Sequence, residues 1–83
     1  MDRVEVASEE VLFARPGRAR VERTAYTNGT VDYSVWVHEG TTIADAGEAL
    51  RTANAQLDGI PVTLVELIHD DGLVGMIYRQ AAN

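Results

Sequence analysis

The sequence predicts a small α+β domain: a mixed β-sheet of order roughly βββαββ, with two hairpins linked by one helix packed on one sheet face. Three observations favour this fold. An Asn28-Gly29 turn signal separates two alternating segments, an amphipathic segment follows, and a second hairpin pattern turns at Asp70-Asp71-Gly72. The 83 residues suffice for a single domain, 1–83. The other sheet face has no predicted helix to cover it, so we expect an oligomer or partner interface there.

The composition restricts the setting and the chemistry. The chain has no cysteine, which excludes disulfides and predicts a cytoplasmic protein. Its net charge of −6 disfavours binding to nucleic-acid phosphates. No apolar run of membrane-spanning length and no secretory leader pattern is found, so we expect no membrane association.

All seven Lys and Arg positions are arginine. Together with the many Ala, Val and Gly residues, this indicates GC-rich codons, and hence a high-GC bacterium such as an actinobacterium, or its phage.

The N-terminal quarter of the chain predicts short strands. The alternation in "VEVA", residues 4 to 7, is typical of a strand. Residues Val11 to Ala14 favour a second strand that ends at a Pro16-Gly17 turn. A single helical turn capped by Ser8 remains the alternative for this second segment.

The clearest hairpin joins residues 19–27 to residues 30–38. A three-residue loop, Thr27-Asn28-Gly29 with Gly29 in the left-handed region, sets Val21 opposite Val35 and Ala25 opposite Val31. A two-residue loop would instead mix charged and apolar side chains on one face. Because a slip of one residue moves every side chain to the other face, the pattern selects the three-residue loop.

The segment after this hairpin predicts the helix. Thr42 and Asp45 resemble a capping box, Gly59 is placed to end the helix, and Pro61 prevents its continuation. Gly47 costs about 1 kcal/mol in a helix relative to alanine. It indicates either a close backbone approach to another surface or a tolerated imperfection. One apolar stripe is formed by Ile43, Ala46, Leu50, Ala53 and Leu57.

The strand over residues 62–69 is apolar on both sides, with Glu66 as its only acid. Such a strand is expected to be buried on both faces and central in its sheet. The strand, the helix before it and the preceding strand form a unit that is normally parallel and right-handed. This connection is the reason for expecting a mixed sheet.

The second face of the first hairpin carries the main candidate site. Tyr26, Trp36 and His38 share that face, and the preferred register places Arg20 opposite Trp36, which favours a cation–π pair. Trp, Tyr and Arg dominate interface hot spots, so we expect Trp36 to anchor an interface. The resulting hypothesis is a non-enzymatic protein-interaction module. It would be homodimeric or ring-forming and would act as a regulator, inhibitor or assembly subunit, with another protein as a further partner.

Two alternatives remain open at this stage. Arg18, Arg20, Arg23 and Trp36 could bind a small anionic ligand, a nucleotide or a nucleic acid. His38 and His69 end two strands beside acids, and with Asp70 they could hold a metal or serve an acid–base enzyme. No nucleophile or phosphate loop is recognisable, so the sequence predicts no catalytic residue and no cofactor.

Overall fold

The computed structural model describes residues 10–13 and 19–80, and these form an α+β fold. The five strands make one sheet in the order β1-β2-β3-β5-β4. This confirms two hairpins joined by one helix. The element bounds are β1 Glu10–Phe13, β2 Arg20–Ala25, β3 Val31–His38, α1 Ile43–Ala53, a short 3-10 helix Ala55–Leu57, β4 Thr63–Asp70 and β5 Leu73–Gln80.

The strand predicted at Val11 to Ala14 is confirmed over the residues that the structure describes there. Residues 10–13 are a strand, β1, that pairs antiparallel with β2, so the strand alternative holds over the helical turn. The "VEVA" strand, Ser8 and the Pro16-Gly17 turn lie outside the described residues.

The first hairpin has the three-residue loop and the register that the sequence predicts. Val21 pairs with Val35, Ala25 with Val31, and Gly29 has a φ of 88°. The Tyr26 amide donates to the Thr30 carbonyl, which closes the hairpin at 3.0 Å. The β2 and β3 faces therefore carry the side chains that the alternation assigned to them.

Two expectations about the sheet are wrong. Every strand pair among the described residues is antiparallel, so the sheet they form is not mixed. β3 and β4 do run in the same direction, but β5 lies between them. The turn at Asp71-Gly72 has positive φ at both residues, 50° and 79°, and it folds β5 directly back against β4. β5 then occupies the place beside β3 that a parallel unit would give to β4.

The position of β4 is the second correction. This strand lies at the edge of the sheet, and most of its residues are exposed. β5, with buried Val74, Met76 and Tyr78, takes the interior position instead, between β3 and β4. The continuous apolar run therefore reflects an exposed apolar edge and not a strand buried on both faces.

The helix packs by its predicted stripe, except at its first residue. Ala46 and Leu50 are buried against β3 and β5, followed by Leu57, whereas Ile43 is 56% exposed. Thr42 caps the helix by accepting from the Asp45 amide at 3.0 Å. Among residues 10–13 and 19–80, no helix has the length and apolar character that a membrane crossing needs.

Gly47 makes no close approach to another part of the described chain, because a β-carbon there would meet nothing within 4 Å. Within the described chain, Gly47 is therefore a tolerated imperfection of the helix. Gly59 is also surrounded by open space, but its φ is +80°, which only glycine adopts without strain.

The contrast between these glycines gives a prediction. Gly47→Ala should stabilise the protein by about 0.5–1 kcal/mol, because alanine loses less backbone entropy in a helix. Gly59→Ala is the matched control and should destabilise by about 1–2 kcal/mol, because it places a β-carbon in the left-handed region. Urea unfolding followed by circular dichroism measures both, and a loss of stability in Gly47→Ala would contradict the open surroundings of that residue.

Candidate interaction surface

The sheet face turned away from α1, hereafter the open face, carries Trp36 near its centre. A row of paired residues crosses this face: Arg20 opposite Trp36, Trp36 opposite Gly75, and Gly75 opposite Ile68. The row runs from β2 to the β4 edge and contains the only tryptophan of the chain.

The Trp36 side chain is half-buried because its own sheet holds it. A β-carbon at position 75 would lie 2.8 Å from Cη2 and Cζ3 of the Trp36 ring, so the ring lies flat over Gly75. The indole Nε1 donates a hydrogen bond to Oε1 of Glu22 at 3.0 Å. Glycine at position 75 is therefore a packing requirement of the tryptophan.

Arg20 completes a small group around this ring. Its Cζ lies 5.9 Å from the Trp36 ring centroid, which confirms the expected cation–π pair. Its Nη2 lies 3.4 Å from Oε2 of Glu22. Because the Arg20 side chain is 49% exposed, both contacts are solvent-screened and worth about 1 kcal/mol or less. Glu22 thus binds both the indole and the guanidinium.

The four residues expected at an interface do share the open face. Arg20, Trp36, Tyr26 and His38 alternate with the buried residues of β2 and β3. Trp36 and Tyr26 are half-buried, whereas Arg20 and His38 are exposed. Their role in an interface stays a prediction.

The two alternative sites are spread across the sheet. Arg23 pairs with Tyr33, so it lies on the helix side, opposite Arg20 and Trp36, and Arg18 is outside the described residues. His38 pairs with Leu73 and His69 with Val74, so the histidines share one end of the sheet but lie on opposite faces. In the described part of the chain, no three His, Asp or Glu residues, Asp70 included, are grouped to hold a metal ion.

An ion pair between a buried carboxylate and a partly exposed arginine on the open face was not predicted from the sequence. Asp32 is only 6% exposed, and its carboxylate accepts from Nε and Nη2 of Arg79 at 2.7 and 2.9 Å. This bidentate hydrogen bonding raises the pKa of the Arg79 guanidinium, which keeps it charged. The two residues are 47 positions apart, and only the β3–β5 register brings them together.

The β4 edge is the second feature that sequence reasoning missed. Among the described strands, none pairs with the outer side of this eight-residue strand. Leu67 is 49% exposed and Val65, which forms a bulge, is 44% exposed. Native proteins usually blunt such edges with charge, proline or a covering element, since the unpaired backbone groups are a template for another strand. Glu66 is the only acid before the strand's last residue.

Comparison with known proteins gives no family for this chain. No family model, no curated protein and no solved structure matches it. Function is therefore inferred from the geometry of the open face and of the β4 edge.

The contact between Trp36 and Gly75 gives a prediction. Gly75→Ala should destabilise the protein by about 1–3 kcal/mol, because the added methyl group displaces the ring. It should also shift the fluorescence of the single tryptophan towards that of an exposed indole. In a Trp36→Ala background the same substitution should cost much less, because the clash is gone. An equal cost in both backgrounds would contradict the packing assigned here.

The ion pair between Asp32 and Arg79 gives another prediction. Arg79→Ala should destabilise by about 1–3 kcal/mol, because it removes the positive charge beside a buried carboxylate. Arg20→Ala is the control, since it breaks an exposed ion pair and should cost about 1 kcal/mol or less. Urea unfolding of both variants at one ionic strength measures the two costs. Equal losses of unfolding free energy would show that the burial of Asp32 does not make its ion pair more stabilising than the exposed one.

Proposed function

We propose that this chain is a protein-interaction module that binds an extended segment along the outer edge of β4. The observation that supports this is the long, apolar and exposed β4 edge. An extended partner would add a strand to the sheet through main-chain hydrogen bonds, and its side chains would alternate between the two faces. The module would act as a regulator, inhibitor or assembly subunit.

The energetic benefit of such binding comes from two sources. Each new main-chain hydrogen bond contributes a net of about 0.5–1.5 kcal/mol. Leu67 and Val65 are about half-exposed, so covering them would add on the order of 1 kcal/mol each. A segment that pairs over most of β4 gains both contributions along the strand, against the cost of its own ordering.

The charges around β4 restrict the partner. Glu66, Asp70 and Asp71 lie on or beside the strand, and the chain carries a net charge of −6. An acidic segment would be repelled, so the favoured partner has an apolar centre and no acids opposite these positions.

The absence of cysteine supports a reducing cytoplasm as the setting, and the arginine-rich composition supports a high-GC bacterium or its phage.

A display experiment tests this function without knowledge of the natural partner. The protein is immobilised at low density, so that two chains rarely meet, and a library of random extended peptides is selected on it. We expect enriched peptides with alternating apolar residues. Their affinity should fall at least tenfold for Leu67→Glu and for Val65→Glu, because each puts a charge at the edge.

Ile43→Glu is the matched control, because Ile43 is 56% exposed but lies at the start of the helix. Peptide binding should be unchanged in this variant. If no alternating peptide is enriched, or if the β4 variants bind as well as the control, the edge is not a binding site.

A further inference from the structure

We infer that the occupant of the β4 edge in solution is a second copy of this chain, whose β4 pairs antiparallel with the first, Leu67 opposite Leu67. The inference rests on the proposed function and names its partner. The two copies would be related by a twofold axis perpendicular to the sheet, and the two five-stranded sheets would form one continuous sheet with both helices on the same face.

The alternation of β4 limits the registers of such a pair. After the bulge at Val65, Glu66 and Ile68 lie on the open face, whereas Leu67 and His69 lie on the helix side. Residues directly opposite each other in an antiparallel pair share a face. The twofold axis must therefore pass through a residue position, and a shift of one position changes every cross-strand pair.

Charge distinguishes the three registers centred on Glu66, Leu67 and Ile68. An axis at Glu66 would put two carboxylates opposite each other. An axis at Ile68 would put Glu66 opposite the partner's Asp70 twice. An axis at Leu67 puts leucine opposite leucine and Glu66 opposite the partner's Ile68, with no acid facing an acid in this central part of the strand. The last register also covers the most exposed large apolar side chain of β4, Leu67.

The same register explains why the β4 edge has so little protection. Edge strands that stay single usually carry charges, proline or a β-bulge to prevent pairing, and in β4 the bulge at Val65 lies two positions from the proposed axis. Between Leu64 and His69 the only charged side chain is Glu66, and pairing around Leu67 gives it an apolar neighbour in place of a like charge. A symmetric dimer closes on itself, so it leaves neither β4 edge available for further growth.

Because the natural chain lacks cysteine, single cysteines can report the register. In the proposed dimer the two Leu67 Cα atoms lie about 4.5–5.5 Å apart, within the range that a disulfide spans. The two Val65 Cα atoms would lie about 14 Å apart and the two Thr63 Cα atoms about 27 Å apart, beyond that range.

The experiment compares Leu67→Cys with the controls Val65→Cys and Thr63→Cys under mild oxidation at micromolar concentration. All three positions are exposed on the same strand. We expect a covalent dimer for Leu67→Cys, formed at least tenfold faster than for either control. Equal rates in the three variants, or faster cross-linking at Thr63 or Val65, would overturn the register.

Solution mass supplies the second measurement, because it needs no cysteine. Light scattering on the natural chain from low-micromolar to submillimolar concentration should show a monomer–dimer equilibrium. Leu67→Asp should raise the dissociation constant at least tenfold. Ile68→Arg should lower it about fivefold or more, because each new guanidinium faces the partner's Glu66. Trp36→Ala should leave it within about twofold, because this interface does not use the open face.

The outcomes separate this inference from the function on which it rests. A chain that stays monomeric at every concentration but still selects alternating peptides keeps the proposed function and overturns the dimer. A chain that does neither overturns both. A dimer that is weakened by Trp36→Ala but not by Leu67→Asp would also overturn the inference, because association would then use the open face.

Discussion

The structure depends on the pairing of β3 with β5, which runs from Val31 opposite Gln80 to His38 opposite Leu73. These central strands contribute most of the buried sheet residues. Their register places the Trp36 ring on Gly75 and the Asp32 carboxylate beside Arg79. Since β5 holds the place next to β3, β4 lies at the edge of the sheet, and among the described strands it pairs with β5 alone. The long-range pairing thus determines both the internal contacts of the open face and the exposed edge.

The open face is occupied to a large extent by its own contacts. Glu22 accepts from the Trp36 indole and pairs with Arg20, and a second ion pair lies further along the sheet. A partner on this face would have to compete with these contacts or desolvate them, at a cost in free energy. Main-chain groups on the outer side of β4 need no such rearrangement, because no other strand of the described residues pairs with them. This difference favours the edge over the face as a docking region.

Features set by neighbouring residues were predictable from the sequence, whereas features set by strand order were not. The loop through Gly29, the cap at Thr42 and the cross-strand position of Arg20 follow from local turn chemistry and alternation. The edge position of β4 does not, because an apolar run is compatible both with a buried strand and with an exposed association surface. The partner of Asp32 was also hidden, since antiparallel alternation identifies faces but not which distant strand lies alongside.

One side chain fixes where the edge strand starts. Arg51, in the last turn of the helix, donates hydrogen bonds to the carbonyls of Leu57 and Ile60 and so holds the segment that leads into β4. In the proposed mode of binding, an edge whose start is held in this way would pay a smaller entropic cost on association. These two hydrogen bonds also connect the end of α1 to the segment that precedes β4. Fraying of the final helical turn would release this segment. In the proposed mode of binding, the affinity of the β4 edge for its partner would then depend on whether the end of α1 is folded.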